Sequence, residues 1–401
     1  MNILFLTLLE INSIDERGIY QDLLRQFSAN GDKVFIVSPC ERRKKQNTHT
    51  ITDGKTTILR PKIGNTQKTN IIEKGISTLT LEGIIKRSIK QNFNSIHFDL
   101  VLYSTPPITL CNVVKYIKKR DKALSYLLLK DIFPQNAVDL EMFSDKSIFY
   151  KLFRGKEKRL YALSDYIGCM SPANISYLLS HNQEIDPKTV ELCPNSIEPV
   201  SYILNKEEKD TLRKKYKLPL DKKIFIYGGN LGAPQAIDFM LEGLKRQAEL
   251  SDRYFIIAGS GTHSDKVKTF IKSNSFSNIC FLNAMPKEDY DKLVACCDVG
   301  LIFLDSRFTI PNYPSRLLSY MQAGLPVLAA IDSNTDIGSF LRDKNIGDYC
   351  ISKEPEDFVR LADEFCTKEY NPQHIYSTLC ESFNVADTYL TIRRRCDENN
   401  R

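Results

Sequence analysis

The 401-residue chain has no tryptophan, only five histidines and only six methionines. Its eleven cysteines form no C-x-x-C pair and have no histidine partners at zinc spacing, which excludes a zinc module of the usual spacing. Cys296 and Cys297 adjoin at the end of an expected helix, and the set reads as buried free thiols in a reducing compartment rather than as disulfides. No apolar run reaches the roughly 18 residues a membrane span needs. The opening NILFLTLL lacks a basic flank and a small-residue cleavage site, so it reads as a first buried strand and not as a signal peptide. The expected location is therefore cytoplasmic. No nucleic-acid recognition motif is visible and the net charge is a modest +6, so nucleic acid is not an expected partner.

What is present is ordinary for a globular protein, with 42% hydrophobic and 26% charged residues. The length suggests two or three domains of about 150 residues. Charge is uneven: residues 1–198 carry 28 Lys+Arg against 21 Asp+Glu, and the remainder 27 against 28. The basic excess sits in ERRKK (41–45), in IIKR and YIKKR, and in FYKLFRGKEKRLYAL (149–163). This last stretch fits two readings equally: a face resting on an anionic membrane surface, giving peripheral contact with the inner leaflet, or a solvated helix face with a buried stripe.

Short apolar strands alternate with amphipathic helices along nearly the whole chain, the pattern of parallel sheets built from β-α-β units. In the first half the expected strands are Asn2–Thr7, Lys33–Val37, Thr57–Leu59, Leu100–Tyr103, Ser125–Leu129 and Tyr166–Met170. The pattern restarts after LCPNSIEP, giving Ile224–Tyr227, Tyr254–Ala258, Ile279–Leu282, Val299–Leu304, Val327–Ala330 and Asp348–Ile351. Two comparable α/β units result, 1–198 and 199–384. A helix breaking at Phe383–Asn384 is followed by a last one from Val385, and the segment 385–401 is expected to cross back to the first unit.

In open α/β sheets ligands lie beyond the carboxyl ends of the strands, so the loops there carry the candidates. YGGNLGAPQ (227–235) is a strand running into a glycine-rich turn; glycine lets backbone approach a phosphate, though a tight turn without ligand has the same look. IIAGSG repeats the arrangement at Gly259-Ser260-Gly261, where a nucleoside could lie, with His263 reading as a ligand contact or, more often for such a residue, as a helix-start residue. In YPSRLLSYMQAGLPV, Pro314-Ser315 opens a helix with Arg316 in its first turn. A planar, permanently charged guanidinium there suits a diphosphate; the competing reading is a structural ion pair with a carboxylate. In KDIFPQ, Asp131 ends a strand and is suited to act as base for an acceptor hydroxyl, or else caps the following helix. Asp139 and Glu141 lie nearby. In the first β-α loop, Glu10, Asp15 and Glu16 are carboxylates and Gly18 starts a helix.

YGGNLGAPQ, the IIAGSG turn, PSRLLSYMQAGLPVLA and KDIFPQ together resemble the GT-B glycosyltransferases of family 4, in the branch that builds bacterial capsule, O-antigen, lipopolysaccharide and exopolysaccharide. The resemblance implies an α/β fold with two Rossmann-like parallel-sheet domains facing across a cleft. It implies a retaining transferase, with no cofactor and no metal. The donor would be a nucleotide sugar, expected to be UDP-linked and of N-acetylhexosamine type; the acceptor would be lipid-linked (polyprenyl diphosphate) or a saccharide. By position, Gly229, Asn230, Leu231 and Gln235 fall by the donor phosphates, and Gly259, Ser260 and Gly261 by the nucleoside. Pro314, Ser315, Arg316 and Ser319 fall by the diphosphate and sugar, Asp131 at the acceptor-side acid, and Glu10 and Gly18 on the acceptor side. The chain departs from the family at the turn Arg and Lys, which are Asn230 and Gln235, and at two glutamates, which are Pro311 and Ser319. Two rivals share the fold: a UDP-sugar 2-epimerase and an inactive UDP-sugar-binding protein.

Overall fold

The computed structural model describes residues 1–65, 71–248 and 250–399. They form two compact units: Met1–Glu198 joined by the terminal helix Val385–Asn399, and Pro199–Asn384. Residues 400 and 401 of the expected terminal segment lie outside the described residues. No helix among these is long and apolar enough to cross a membrane.

The first unit is built on an eight-stranded sheet. Its order is Val190–Leu192, Tyr166–Cys169, Leu124–Leu129, Leu100–Ser104, Asn2–Leu6, Lys33–Val37, Thr56–Arg60, His49–Asp53. Leu124–Leu129 and Leu100–Ser104 are buried throughout, as parallel strands covered on both faces must be. Only His49–Asp53 runs antiparallel, at the edge. The sequence reading has no strand there, because HTITD is polar and largely exposed and gives no apolar alternation. The helix after KDIFPQ is the short Gln135–Asp139, whose five residues are too few to show a period in the sequence.

The second unit holds a six-stranded, all-parallel sheet ordered Ile279–Asn283, Arg253–Ser260, Lys223–Asn230, Val299–Phe303, Val327–Ile331, Gly347–Ile351. In chain order this is 3-2-1-4-5-6, the doubly wound arrangement. Its direction reverses between Lys223–Asn230 and Val299–Phe303, and the carboxyl ends of those two strands are the expected ligand position.

The terminal helix completes the first unit. It places Val385, Tyr389, Ile392 and Cys396 into the core with Leu23, Leu24 and Phe27. Tyr389 meets Phe27 edge-on, ring centroids 5.0 Å apart. The Ser196 and Thr388 hydroxyls bond at 2.7 Å, and Arg393 reaches the buried Asp32 at 3.2 Å. The eleven cysteines are all free. We predict that Ile392→Ala, which empties a fully buried site, destabilises the first unit by about 2–5 kcal/mol, measured by denaturant unfolding.

Candidate functional site

At the reversal point of the second sheet, strand Lys223–Asn230 ends in Gly228-Gly229-Asn230. Gly229 has φ 132°, a backbone position that side chains rarely take. The first helix after strand Val299–Phe303 is Arg316–Gln322, and its leading residue reaches back to this turn. The Arg316 guanidinium lies over the Tyr227 ring, 4.3 Å from its centroid, a cation–π contact. A Cβ on Gly229 would sit 3.4 Å from its Nη2, so glycine leaves the guanidinium directly against bare backbone.

Arg316 pairs with no carboxylate among the described residues, and its buried Nη1 has no hydrogen-bond partner there. The structural ion-pair reading is thereby set aside. Arg316 is a cation fixed by packing with part of its donor set unused. Tyr227 is itself held, donating to the Asn230 carbonyl at 2.6 Å, and Tyr320 donates to the Leu301 carbonyl at 3.0 Å. Burial pushes both phenols up, Tyr320 to about 12, so they stay neutral beside the guanidinium.

The glycine-rich turns serve each other. Leu231 N–H donates to the Ser260 carbonyl at 2.9 Å, and His263 N–H to the Leu231 carbonyl at 2.9 Å. A Cβ on Gly259 would fall 1.9 Å from the Gly229 carbonyl oxygen. Gly259 is therefore required by the close approach of two backbones. Leu231 departs from the sequence reading: its side chain is fully buried in the core and its N–H and C=O are both used within the turns. It shapes the site and presents nothing to a ligand. Asn230 donates to Gln235 Oε1 at 3.0 Å, and that same oxygen accepts from Gly232 N–H at 3.1 Å, so these two residues close the turn where the family carries cations.

The start of the Arg316 helix is tight: Leu317 and Leu318 N–H groups bond to the Pro314 and Ser315 carbonyls. These N–H groups are used within the turn, and the positive charge comes from the side chain. Ser315 is exposed, Pro314 and Ser319 partly so. Lys287, which the sequence reading overlooks, donates to Ser319 Oγ at 3.4 Å and also pairs with the buried Asp291. It brings an ammonium already paired with Asp291 to Ser319, three residues along the helix from Arg316. His263 is the residue preceding its helix, as expected.

In the first unit Asp131 follows strand Leu124–Leu129. Its N–H donates to Thr105 Oγ1 at 3.1 Å, and that hydroxyl donates to the Asp131 carbonyl at 2.9 Å. Asn136 Nδ2 donates to both carboxylate oxygens at 2.9 Å. The capping position of the following helix is Pro134, so Asp131 is not a cap. Burial raises its pKa to about 6, opposed by the hydrogen bonds from Ile132 N–H and Asn136 and reinforced by Glu157. The adjoining Lys130 turns inward, donating to the Cys193 carbonyl at 2.9 Å, and burial lowers its pKa.

Glu10 is committed elsewhere: it pairs with Lys44 and with the buried Arg60. Gly18 precedes helix Ile19–Ala29 at φ 170°, a conformation open to any residue, and its N–H donates to Asp22. Neither Glu10 nor Gly18 makes a hydrogen bond or ion pair with Asp131 among the described residues. Asp139 accepts from Gln135 at 2.8 Å.

Two doubly wound units of this order define a GT-B protein. The group 1 glycosyl transferases match residues 208–378. A probable glycosyltransferase of Pseudomonas aeruginosa, WbjE, is 23% identical over 307 residues, 76% of this chain and 75% of that one. The putative colanic acid biosynthesis glycosyl transferase WcaI of Escherichia coli is 26% identical over 155 residues, 38% and 37% of the two chains. Among solved structures, a sucrose-phosphate synthase from Thermosynechococcus elongatus covers 99% of this chain and 98% of its own at TM-score 0.73 and 11% identity. Anabaena HepE in complex with UDP covers 99% and 100% at TM-score 0.69 and 13% identity. The chain shares its fold with GT-B glycosyltransferases, and residues 208–378 of its second unit match the group 1 domain.

Gly259→Ala is predicted to lower thermal stability and to weaken nucleotide binding together, because the added methyl must displace the Gly229 carbonyl on which the Arg316 setting depends. Thermal unfolding with and without UDP reads both effects.

Proposed function

We propose that the protein is a retaining, metal-independent transferase of surface-polysaccharide assembly, moving an N-acetylhexosamine-type sugar from a UDP-linked donor to a lipid-linked or saccharide acceptor. The observation that carries this reading is the Arg316 guanidinium, fixed on Tyr227 against Gly229 with Nη1 unpartnered. An unneutralised guanidinium with one nitrogen buried and unpartnered is unfavourable and calls for an anion. A diphosphate at the reversal point of the second sheet meets that need. HepE is described with UDP and with UDP-glucose, which supports a nucleotide sugar as the donor class.

In this mechanism the C1–O bond to the diphosphate breaks while Arg316 stabilises the charge developing on the leaving oxygen. An acceptor hydroxyl attacks C1 on the same face, and the leaving phosphate oxygen takes its proton. Asp131, held by Asn136 and Thr105, orients the acceptor hydroxyl. Polar chemistry of this kind needs no metal on this reading, because Arg316 supplies positive charge to the leaving group. An acceptor on a polyprenyl diphosphate would bring the first unit to the inner face of the plasma membrane.

Arg316→Ala should lower kcat/KM for the donor about 10²–10³-fold, and Arg316→Lys should recover only part, since a lysine cannot form the bidentate fork. Unchanged turnover and UDP affinity in the alanine variant would remove the assignment. Incubation with donor alone yields no epimer on this reading, and EDTA leaves the rate intact.

Asp131 gives a pH signature. Its folded pKa of about 6 lies above the unfolded value of roughly 3.9. Between those values the folded state binds more protons, so stability contributed by this group is full at low pH and lost as pH rises through about 6. Asp131→Asn should therefore match or exceed the wild-type melting temperature at pH 7.5, while cutting transfer. In the wild type the acidic limb of kcat/KM should fall with a midpoint near 6, and the variant should lack that limb.

A further inference from the structure

The helix Ile148–Leu163 of the first unit turns Glu157, Leu160 and Tyr161 into the protein. At about 100° per residue, Ile148, Leu152 and Arg159 fall on the opposite side. Ile148 is 74%, Phe149 61% and Leu152 51% exposed, and Met142, just before the helix, is 69% exposed. The eleven large hydrophobic residues exposed among the described ones are otherwise scattered, so four within residues 142–152 form a concentration. Isolated exposed apolar residues need no explanation; a cluster does.

The charge around this cluster is predominantly positive. Lys146, Lys151 and Arg159 are exposed and make no ion pair among the described residues, and Lys156 adds a fourth positive charge. The acidic groups nearby are largely spoken for: Glu157 is buried and paired with Arg154 at 2.5 Å, and Glu184 pairs with Lys158 at 3.1 Å. Asp145, accepting from Ser144 at 3.2 Å, and the exposed Glu141 beside Met142 are further acidic groups here.

The helix is also coupled to Asp131. Phe133, two residues beyond Asp131, meets Phe153 of the helix at 5.1 Å and Phe143 at 6.4 Å, both edge-on. Tyr150 of the helix donates to Gln135 at 3.3 Å. The loop carrying Asp131 and the exposed face are thus two sides of one packed layer.

We infer that Met142, Ile148, Phe149 and Leu152, ringed by Lys146, Lys151, Lys156 and Arg159, dock the first unit on an anionic lipid bilayer. Apolar tips enter the headgroup boundary while the bases meet lipid phosphates, the two contributions that hold an interfacial helix. The aromatic layer then fixes the height of Asp131 above the lipid, where the headgroup sugar of a lipid-linked acceptor would be. This purpose rests on the acceptor reading proposed above, whereas the docking itself does not.

The test is flotation of the full chain with phosphatidylcholine vesicles, with and without phosphatidylglycerol. The wild type should float only with the anionic vesicles, and less so as salt rises. Lys146→Glu/Lys151→Glu should weaken binding at least about tenfold, and Phe149→Asp/Leu152→Asp should abolish it. Both variants should keep the wild-type melting temperature and its shift with UDP, because all four positions are exposed. A wild type that stays behind with anionic vesicles overturns the inference. So do variants that float equally well, or a concentration-dependent dimer that Leu152→Asp dissolves, which would make this face a self-association surface. Because flotation requires no turnover, vesicle binding without transfer to a lipid-linked acceptor would count against the acceptor reading alone.

Discussion

A guanidinium seated on an aromatic ring, one of its nitrogens buried without a partner, is the constraint around which the second unit is arranged. Taking a charge out of water without neutralising it is unfavourable unless something else orders the site. Here that order comes from Tyr227 beneath Arg316, from Gly229 leaving bare backbone beside it, and from Gly259 letting the adjacent turn close over the Gly229 carbonyl. Remove any of these and the cation has room to move away. An anion supplied from outside both neutralises the charge and uses the spare donor, which makes the fold and the proposed chemistry two consequences of one arrangement.

Asp131 in the first unit is handled by the opposite strategy. Its carboxylate is desolvated enough for its pKa to rise to about 6, yet both oxygens accept from Asn136 and its backbone is fixed through Thr105. A group so placed is ionised near neutrality and rigid, as orienting a hydroxyl requires. The same loop packs through Phe133 onto the basic helix, so the position of this carboxylate is tied to whatever that helix rests on.

The strand pattern was readable because parallel strands buried on both faces are uniformly apolar, and because each glycine-rich turn follows one directly. That Arg316 lies beyond the carboxyl end of a strand followed from that pattern and the general location of ligands in such sheets, whereas the strand order that puts it at the sheet reversal did not. Other parts had no local signal. Tyr227 looks like any strand residue until Arg316, 89 positions later, is laid over its ring. Lys287 looks like a solvated helix charge until Ser319 is brought within reach. Leu231 and Glu10 were misjudged for the same reason: a side chain turning into the core and an ion pair with Arg60 both depend on elements distant in sequence. Periodicity reports which face of an element is apolar, not which element will meet it.

The most direct test of the central claim is a structure of the full chain with UDP bound. The account predicts the diphosphate within hydrogen-bond distance of Arg316 Nη1 and beside the Gly229 backbone, with the guanidinium still over Tyr227. A diphosphate bound elsewhere, with Nη1 still lacking a partner, would contradict it.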